Sequence, residues 1–302
     1  MAETSTHSPI TRIPAARDVL ELLKPITWFP PMWAFLCGVV SSGVPLGDRW
    51  PFLIAGILLT GPLVCGTSQA VNDWFDRHVD AINQPERPIP SGRIGGQWGL
   101  AIAVIGSVLS ALVAWVTGPW VFVATLVGLA LAWAYSAPPL RLKINAILGP
   151  GAVALSYEGL TWFTGAAVMA GTLPGAPVLV ILLLYSVGAH GIMTLNDFKA
   201  VEGDLATGVR SLPAMLGIDR AARVACLTML LPQLVVVALL LRWDHLIVAG
   251  VVALLIVGQL AAMVRLLRDP RAMTPWYAAT GVSMYVLGML ASAFGLGGVW
   301  GL

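Results

Sequence analysis

Long apolar runs alternate with short polar breaks along this chain, and each run is about one membrane thick. Nine stretches stand out, at 26–45, 51–70, 98–117, 119–136, 147–170, 175–195, 221–241, 246–266 and 277–299. About 20 apolar residues in a helix cross roughly 30 Å of hydrocarbon. The pattern predicts an all-α membrane protein with about nine transmembrane helices. Two spans are irregular: Pro30-Pro31 interrupts the first and should kink it, and Glu158 lies within the fifth. Residues 1–20 read as a polar N-terminal tail and 21–302 as one polytopic domain. Within 14–24, Val19, Leu20, Leu22 and Leu23 suit a short interfacial helix, a disordered tail being the alternative. No cleavable signal pattern is visible, so the first span is expected to act as an uncleaved anchor.

Composition agrees with the pattern. Of 302 residues 58% are hydrophobic and 11% charged, with a mean hydropathy of +0.84, whereas soluble domains carry about 25% charge. Cys37, Cys65 and Cys226 lie in apolar runs without metal-ligand spacing and read as small core residues. Nothing in the charge pattern suggests nucleic acid as a partner.

The few charges are distributed unevenly. With the N-terminus inside, the inner loops hold 15 of the 17 Lys and Arg residues, leaving only Arg49 and Arg242 outside. That bias orients the chain by the positive-inside rule. It places the N-terminus and the long polar loops in the cytoplasm and the C-terminus on the opposite side.

The longest polar island is 72–93. On a helix Asn72, Asp73, Asp76 and Asp80 fall within about 100° of one face. Carboxylates at ~4 Å repel by about 1 kcal/mol in water and about 4 kcal/mol at an effective dielectric near 20. Such a face calls for cations. Either Mg²⁺ sits on it with a phosphate-bearing substrate, or it is a solvated helix whose acids pair with Arg77, Arg87 and Arg93.

The island has an echo. Asn196-Asp197-Phe198-Lys199-Ala200-Val201-Glu202-Gly203-Asp204 follows the sixth run as Asn72-Asp73-Trp74 follows the second. Arg87-x-x-Pro90 and Arg210-x-x-Pro213 come after the two segments at nearly the same distance. The bundle is therefore read as two related halves with a site between them. On one helix Asp197 and Asp204 would share a face, with Glu202 off it and Gly203 a candidate break.

Two acidic clusters on one membrane side suit two or more Mg²⁺ ions bridging a diphosphate. Metal ligands would come from Asn72, Asp73, Asp76, Asp80, Asn196, Asp197, Glu202 and Asp204. Arg77, Arg141, Lys143, Lys199 and Arg210 would grip the diphosphate, arginine as a fork and lysine as a point charge. Asp73, Asp76, Arg141 and Lys143 are the residues expected to carry the chemistry. Trp28, Trp33, Tyr157, Trp162 and Phe163 could line an apolar tunnel, or serve as interface anchors. Glu158 and His190, inside spans, need partners or a purpose.

Together Asn72-Asp73-x-x-Asp76-x-x-x-Asp80, the second motif and Tyr135-Ser136-x-Pro138-x-x-Arg141-x-Lys143 resemble the UbiA superfamily of intramembrane prenyltransferases. Lys24-Pro25-Ile26-Thr27-Trp28, Arg210-Ser211-Leu212-Pro213, Ser156 to Gly165 and Ala189 to Leu195 narrow the resemblance to its chlorophyll and bacteriochlorophyll synthase branch. The second motif departs from the common Asp-x-x-x-Asp spacing, because Ala200 intervenes. The resemblance implies esterification of the C17 propionate of bacteriochlorophyllide a with geranylgeranyl or phytyl diphosphate, with Mg²⁺. It also implies a bacterial inner or intracytoplasmic membrane and pathway neighbours such as a geranylgeranyl reductase. The pigment metal could take an axial ligand, for which His190 is the candidate. The competing readings are a UbiA-type enzyme with a quinone-precursor or haem acceptor, and a cation-coupled transporter.

Overall fold

The computed structural model describes residues 13–298. The N-terminal part of the polar tail and the last residue of the ninth run lie outside that range. In chain order the helices are α1 (Ala16–Leu22), α2 (Phe29–Ser41), α3 (Trp50–Leu58), α4 (Gly66–Asn83), α5 (Trp98–Thr117), α6 (Pro119–Ser136), α7 (Leu148–Ala154), α8 (Thr161–Ala170), α9 (Ala176–Asn196), α10 (Val201–Thr207), α11 (Leu212–Leu216), α12 (Ile218–Arg242), α13 (Leu246–Leu266) and α14 (Pro270–Leu296).

Among the described residues seven helical stretches are long and apolar enough to cross a membrane, and the runs at 98–117, 119–136 and 246–266 coincide with α5, α6 and α13. The remaining two expected spans differ in form. The first contracts to the 13 residues of α2. Pro30 and Pro31 lie in its first turn, where a missing N–H removes no helical bond, so they start the helix and do not kink it. The fifth is one helical run from Leu148 to Ala170, with Glu158 in a π-helical segment, Leu155–Leu160. A second π segment, Leu59–Cys65, accommodates Pro62 between α3 and α4.

Gly47–Asn83 is continuous over 37 residues. At 1.5 Å per residue that is about 55 Å, well beyond a hydrocarbon layer of about 30 Å. The polar end of α4 therefore projects past the apolar layer, carrying the first acidic motif with it.

Helices pack by close approach and by buried polar pairs, as membrane bundles require. Gly38 of α2 faces Gly165 of α8 so closely that a Cβ on either would lie 2.0 Å from a carbonyl oxygen of the other helix. Gln233 of α12 and Gln259 of α13 exchange amide hydrogen bonds at 3.0 and 2.9 Å. The Tyr285 hydroxyl of α14 donates to the Tyr185 carbonyl of α9 at 2.5 Å. In the first half α4, α5 and α6 pack together, and in the second α12, α13 and α14 do. The helix expected within 14–24 is α1, with Leu22 fully buried against Ala70, Val71, Ile94 and Ala103, while Leu20 faces out.

Candidate active site

The first motif is helical, as its spacing predicts, but its acidic face is divided. Asp73 and Asp80 turn to one side. The Lys24 ammonium donates to Asp73 Oδ1 at 2.6 Å. Arg87 bridges Asp73 Oδ1 at 3.3 Å and Asp80 Oδ2 at 2.7 Å. Asn72 and Asp76 turn to the other side. Asn72 Nδ2 donates to Asp76 Oδ2 at 3.0 Å and to Ser136 Oγ at 3.2 Å, and Lys143 Nζ donates to Asp76 Oδ1. Three acids thus meet three cations. Asp73 is 1% exposed. Stranding one partner of a buried pair costs about 3–5 kcal/mol, so these cations are part of the motif.

The second motif is not one helix. After α9 ends at Asn196 the chain makes a tight turn over Asp197–Lys199 and restarts as α10. Asp197 and Asp204 therefore do not share a helical face, and Gly203 sits inside α10 as no break. The bend nonetheless keeps them together, since each lies within electrostatic reach of the other. Asp204 Oδ2 accepts from Ser211 Oγ at 2.5 Å. Glu202 is exposed and engaged by Arg271 of α14, whose guanidinium holds its carboxyl below the usual carboxylate range. Asn196 is exposed and its amide lies 4.0 Å from the Met193 sulfur.

Tyr135, near the end of α6, lies within electrostatic range of Asp197, Asp76 and Asp204, next to Ser136, which accepts from Asn72. The segment after α6 completes the arrangement. Arg141 is exposed, in a left-handed backbone conformation at φ 39°. Lys143 reaches Asp76. Asn145 Oδ1 accepts from the N–H groups of Ile147 and Leu148 at 2.9 and 3.0 Å, in the turn that leads into α7. The Arg210 N–H donates to the Ile144 carbonyl at 3.2 Å, in a parallel bridge between Asn145 and Arg210. The backbone following the second motif is thereby tied to the loop that carries Lys143.

Other expected site residues lie elsewhere. Arg77 donates to the Trp74 carbonyl at 2.7 Å and stacks 4.2 Å above the Trp74 ring. Lys199 and Arg210 are exposed, and the Lys199 charge acts on Asp197. Trp162 is fully buried, stacked on Tyr185 at 5.8 Å, with its indole N–H on Ser41 Oγ at 2.9 Å. It packs as a core residue. Trp33 and Phe163 also pack on this core, the Trp33 N–H reaching the Val286 carbonyl. The Trp28 N–H is held by the Leu23 carbonyl at 2.8 Å. The Tyr157 hydroxyl accepts from Gln69 Nε2 at 3.2 Å and from Cys65 Sγ at 3.3 Å. His190 is half-buried on α9, in reach of the Ile147 carbonyl.

Sequence reasoning missed Lys24, Ser136, Tyr135 and Ser211 as working members. It named Arg87 only as a partner in the solvated-helix alternative. For Ser211 a signal was present, because Asp204–Ser211 and Asp80–Arg87 have the same seven-residue separation.

Among the described residues no three His, Cys, Asp or Glu side chains gather at one metal-holding point. What the fold offers is two small sets of hard oxygen donors, Asn72 with Asp76 and Asp197 with Asp204. Asp197 makes no ion pair among the described residues. This donor set fits Mg²⁺, which takes one or two carboxylates and completes its shell with water and substrate phosphate.

The chain belongs to the UbiA prenyltransferase family, whose description matches residues 27–287. Within that family it is 57% identical over 287 residues to the bacteriochlorophyll synthase 33 kDa chain of Cereibacter sphaeroides, covering 95% of each chain. It is 55% identical over 295 residues to the protein of the same name from Rhodobacter capsulatus, covering 96% of this chain and 97% of that one. The fold also matches a UbiA homolog from Archaeoglobus fulgidus solved bound to GPP and Mg²⁺. That match has a TM-score of 0.68 at 18% identity, over 91% of this chain and 99% of the other. The protein is accordingly a multi-pass membrane transferase of the prenyltransferase class.

Proposed function

We propose that the protein joins the C17 propionate of bacteriochlorophyllide a to geranylgeranyl or phytyl diphosphate, releasing diphosphate. The observation that carries the reading is the Asn72–Asp76–Lys143 cluster beside Ser136, tied through the Asn145–Arg210 bridge to the segment that follows the second acidic motif. The 57% identity over nearly the whole of a bacteriochlorophyll synthase chain supports the choice of acceptor.

Asn72 and Asp76 on one side, and Asp197 and Asp204 on the other, would hold two or more Mg²⁺ ions. The ions would supply charge neutralisation at the leaving diphosphate. Lys143 gives a point charge and Arg141, Lys199 and Arg210 further positive charge around it. The prenyl C1–O bond breaks, its electron pair leaves with the diphosphate, and a propionate oxygen closes on C1 to form the ester. The acceptor is already a carboxylate at neutral pH, with a reference value near 4, so no general base is needed. The apolar bundle shields the cation-like carbon from water. His190 is the candidate axial ligand of the pigment metal.

The charge bias supports a cytoplasmic side for the acidic motifs and the N-terminus, with the C-terminus across a bacterial inner or intracytoplasmic membrane. A geranylgeranyl reductase is a natural neighbour for an enzyme using this tail. An acceptor competition tests the reading. Membranes given geranylgeranyl diphosphate with equal bacteriochlorophyllide a, a hydroxybenzoate and haem should esterify the pigment. Prenylation of the phenol or haem in its place would overturn the acceptor and keep the clamp. Uptake of substrate without diphosphate release would point to transport.

A further inference from the structure

Gln69 is a polar residue inside the second apolar run, and no role has yet fallen to it. Around α4 it lies about 60° from Asn72 and about 20° from Asp76, on the same face. Along the axis it is about 4.5 Å deeper in the bundle than Asn72 and about 10.5 Å deeper than Asp76.

Its amide is fixed at one end. The nitrogen donates to the Tyr157 hydroxyl at 3.2 Å, and Cys65 Sγ lies 3.3 Å from the same hydroxyl. Cys65 Sγ is in turn 3.4 Å from the Thr27 carbonyl and 3.5 Å from the Thr27 hydroxyl. Cys65 ends one π-helical segment, Leu59–Cys65, and Tyr157 belongs to the other, Leu155–Leu160. Segments of this form occur frequently at functional sites, and here two of them meet at one side chain. The other end of the amide, the Gln69 carbonyl oxygen, makes no hydrogen bond among the described residues.

Charge falls along this face as it enters the bundle, from the carboxylate of Asp76 to the amides of Asn72 and Gln69. A prenyl diphosphate with its head at Asn72 and Asp76 has the same order, with C1 next and the apolar tail deeper. Gln69 is the first side chain of the face below the head.

We infer that Gln69 is a catalytic residue whose carbonyl oxygen faces C1 of the prenyl diphosphate and stabilises the positive charge developing there as the C1–O bond breaks. Tyr157 is its positioning residue, fixing the amide plane from the nitrogen end. An amide suits the place. A fixed dipole stabilises charge that appears only in the transition state, whereas a carboxylate would close on C1 itself and keep the tail on the enzyme. The neutral oxygen leaves C1 to the propionate.

The inference rests on the prenyl-transfer reading above and is tested by Gln69→Glu. In that variant the C1–O bond breaks, its electron pair leaves with the diphosphate, and a lone pair of the introduced carboxylate forms an ester to C1. Purified full chain given geranylgeranyl diphosphate and Mg²⁺ without pigment should gain the mass of one geranylgeranyl group, removable by hydroxylamine, and the wild type should gain none. Gln69→Leu should lower kcat by about tenfold or more and leave both KM values within about threefold. Tyr157→Phe should lower kcat several-fold in the wild type and not at all beside Gln69→Leu, a non-additivity that a purely structural tyrosine would not show. Gln69→Leu at the wild-type kcat would overturn the inference, as would Gln69→Glu that releases diphosphate and carries no adduct. Gln69→Leu decides alone if Gln69→Glu fails to fold. Wild-type protein that releases no diphosphate even with pigment present would overturn the reading above as well.

Discussion

Arg87 donates to Asp80 from seven residues further along the chain, at 2.7 Å, and Ser211 stands in the same relation to Asp204, at 2.5 Å. The two halves share more than an Asn-Asp pair. In each, the last acid of the motif is fastened by the segment that follows it, which orders the polar loop over the end of the helices. Ser211→Ala removes one such fastening and should lower kcat/KM several-fold, with Ser211→Thr restoring most of it. Glu202→Gln, by contrast, loses only an exposed partner in Arg271. Its activity should stay within about fivefold of the wild type, the scale on which an exposed ion pair acts. Steady-state product assays on the three variants check both statements.

Lys143 occupies an oxygen of Asp76 that a metal would also use. Lys143→Met should raise KM for the prenyl diphosphate by about tenfold or more, since a hydrogen bond to a charged group contributes about 1.5–3 kcal/mol. It should also tighten Mn²⁺ binding to the substrate-free protein, because a competing charge is gone. Substrate titration and metal titration on one preparation give the two signs.

The α2–α8 crossing depends on the absence of side chains. Gly38→Leu or Gly165→Leu would drive a side chain into backbone, and neither helix can withdraw without opening the core around Trp162. Both variants should fail to accumulate as folded protein. Trp162→Ala should fold but lose about 3–5 kcal/mol of stability, measured by thermal inactivation in detergent.

Gln233 and Gln259 satisfy each other in a buried position. Single changes to Leu strand an amide, whereas the double change removes both partners. A double-mutant cycle should therefore show coupling of about 0.6 kcal/mol, at most about 1.7 kcal/mol, read from unfolding in mixed micelles.

Much of this was legible in the sequence. The apolar runs located the spans because membrane helices must be about 20 residues long, and spacing alone put Asn72, Asp73, Asp76 and Asp80 on one helical face. The echo at Asn196 located the second motif. What spacing could not show was where that face would divide. Lys24 lies 49 residues from Asp73, and no periodicity connects them. The bend at Lys199–Ala200 was hidden because Asp197 and Asp204 happen to fit one helix as well as two. Aromatic residues misled in a different way. Trp162 has the composition of a tunnel wall, but Ser41 takes its N–H and Tyr185 its face, which only the packing reveals. Arg77 was counted with the clamp by charge alone, whereas its side chain folds back on Trp74.

The most direct test is ester formation in membranes supplied with bacteriochlorophyllide a and geranylgeranyl diphosphate, with and without Mg²⁺, for the wild type and Asp76→Asn. Prenylated pigment should form only with Mg²⁺ and only in the wild type, with Asp76→Asn reduced by about a hundredfold or more, the loss expected when transition-state charge loses its support. Ester formed equally well without divalent metal, or by Asp76→Asn at the wild-type rate, would contradict a metal-held diphosphate at this site.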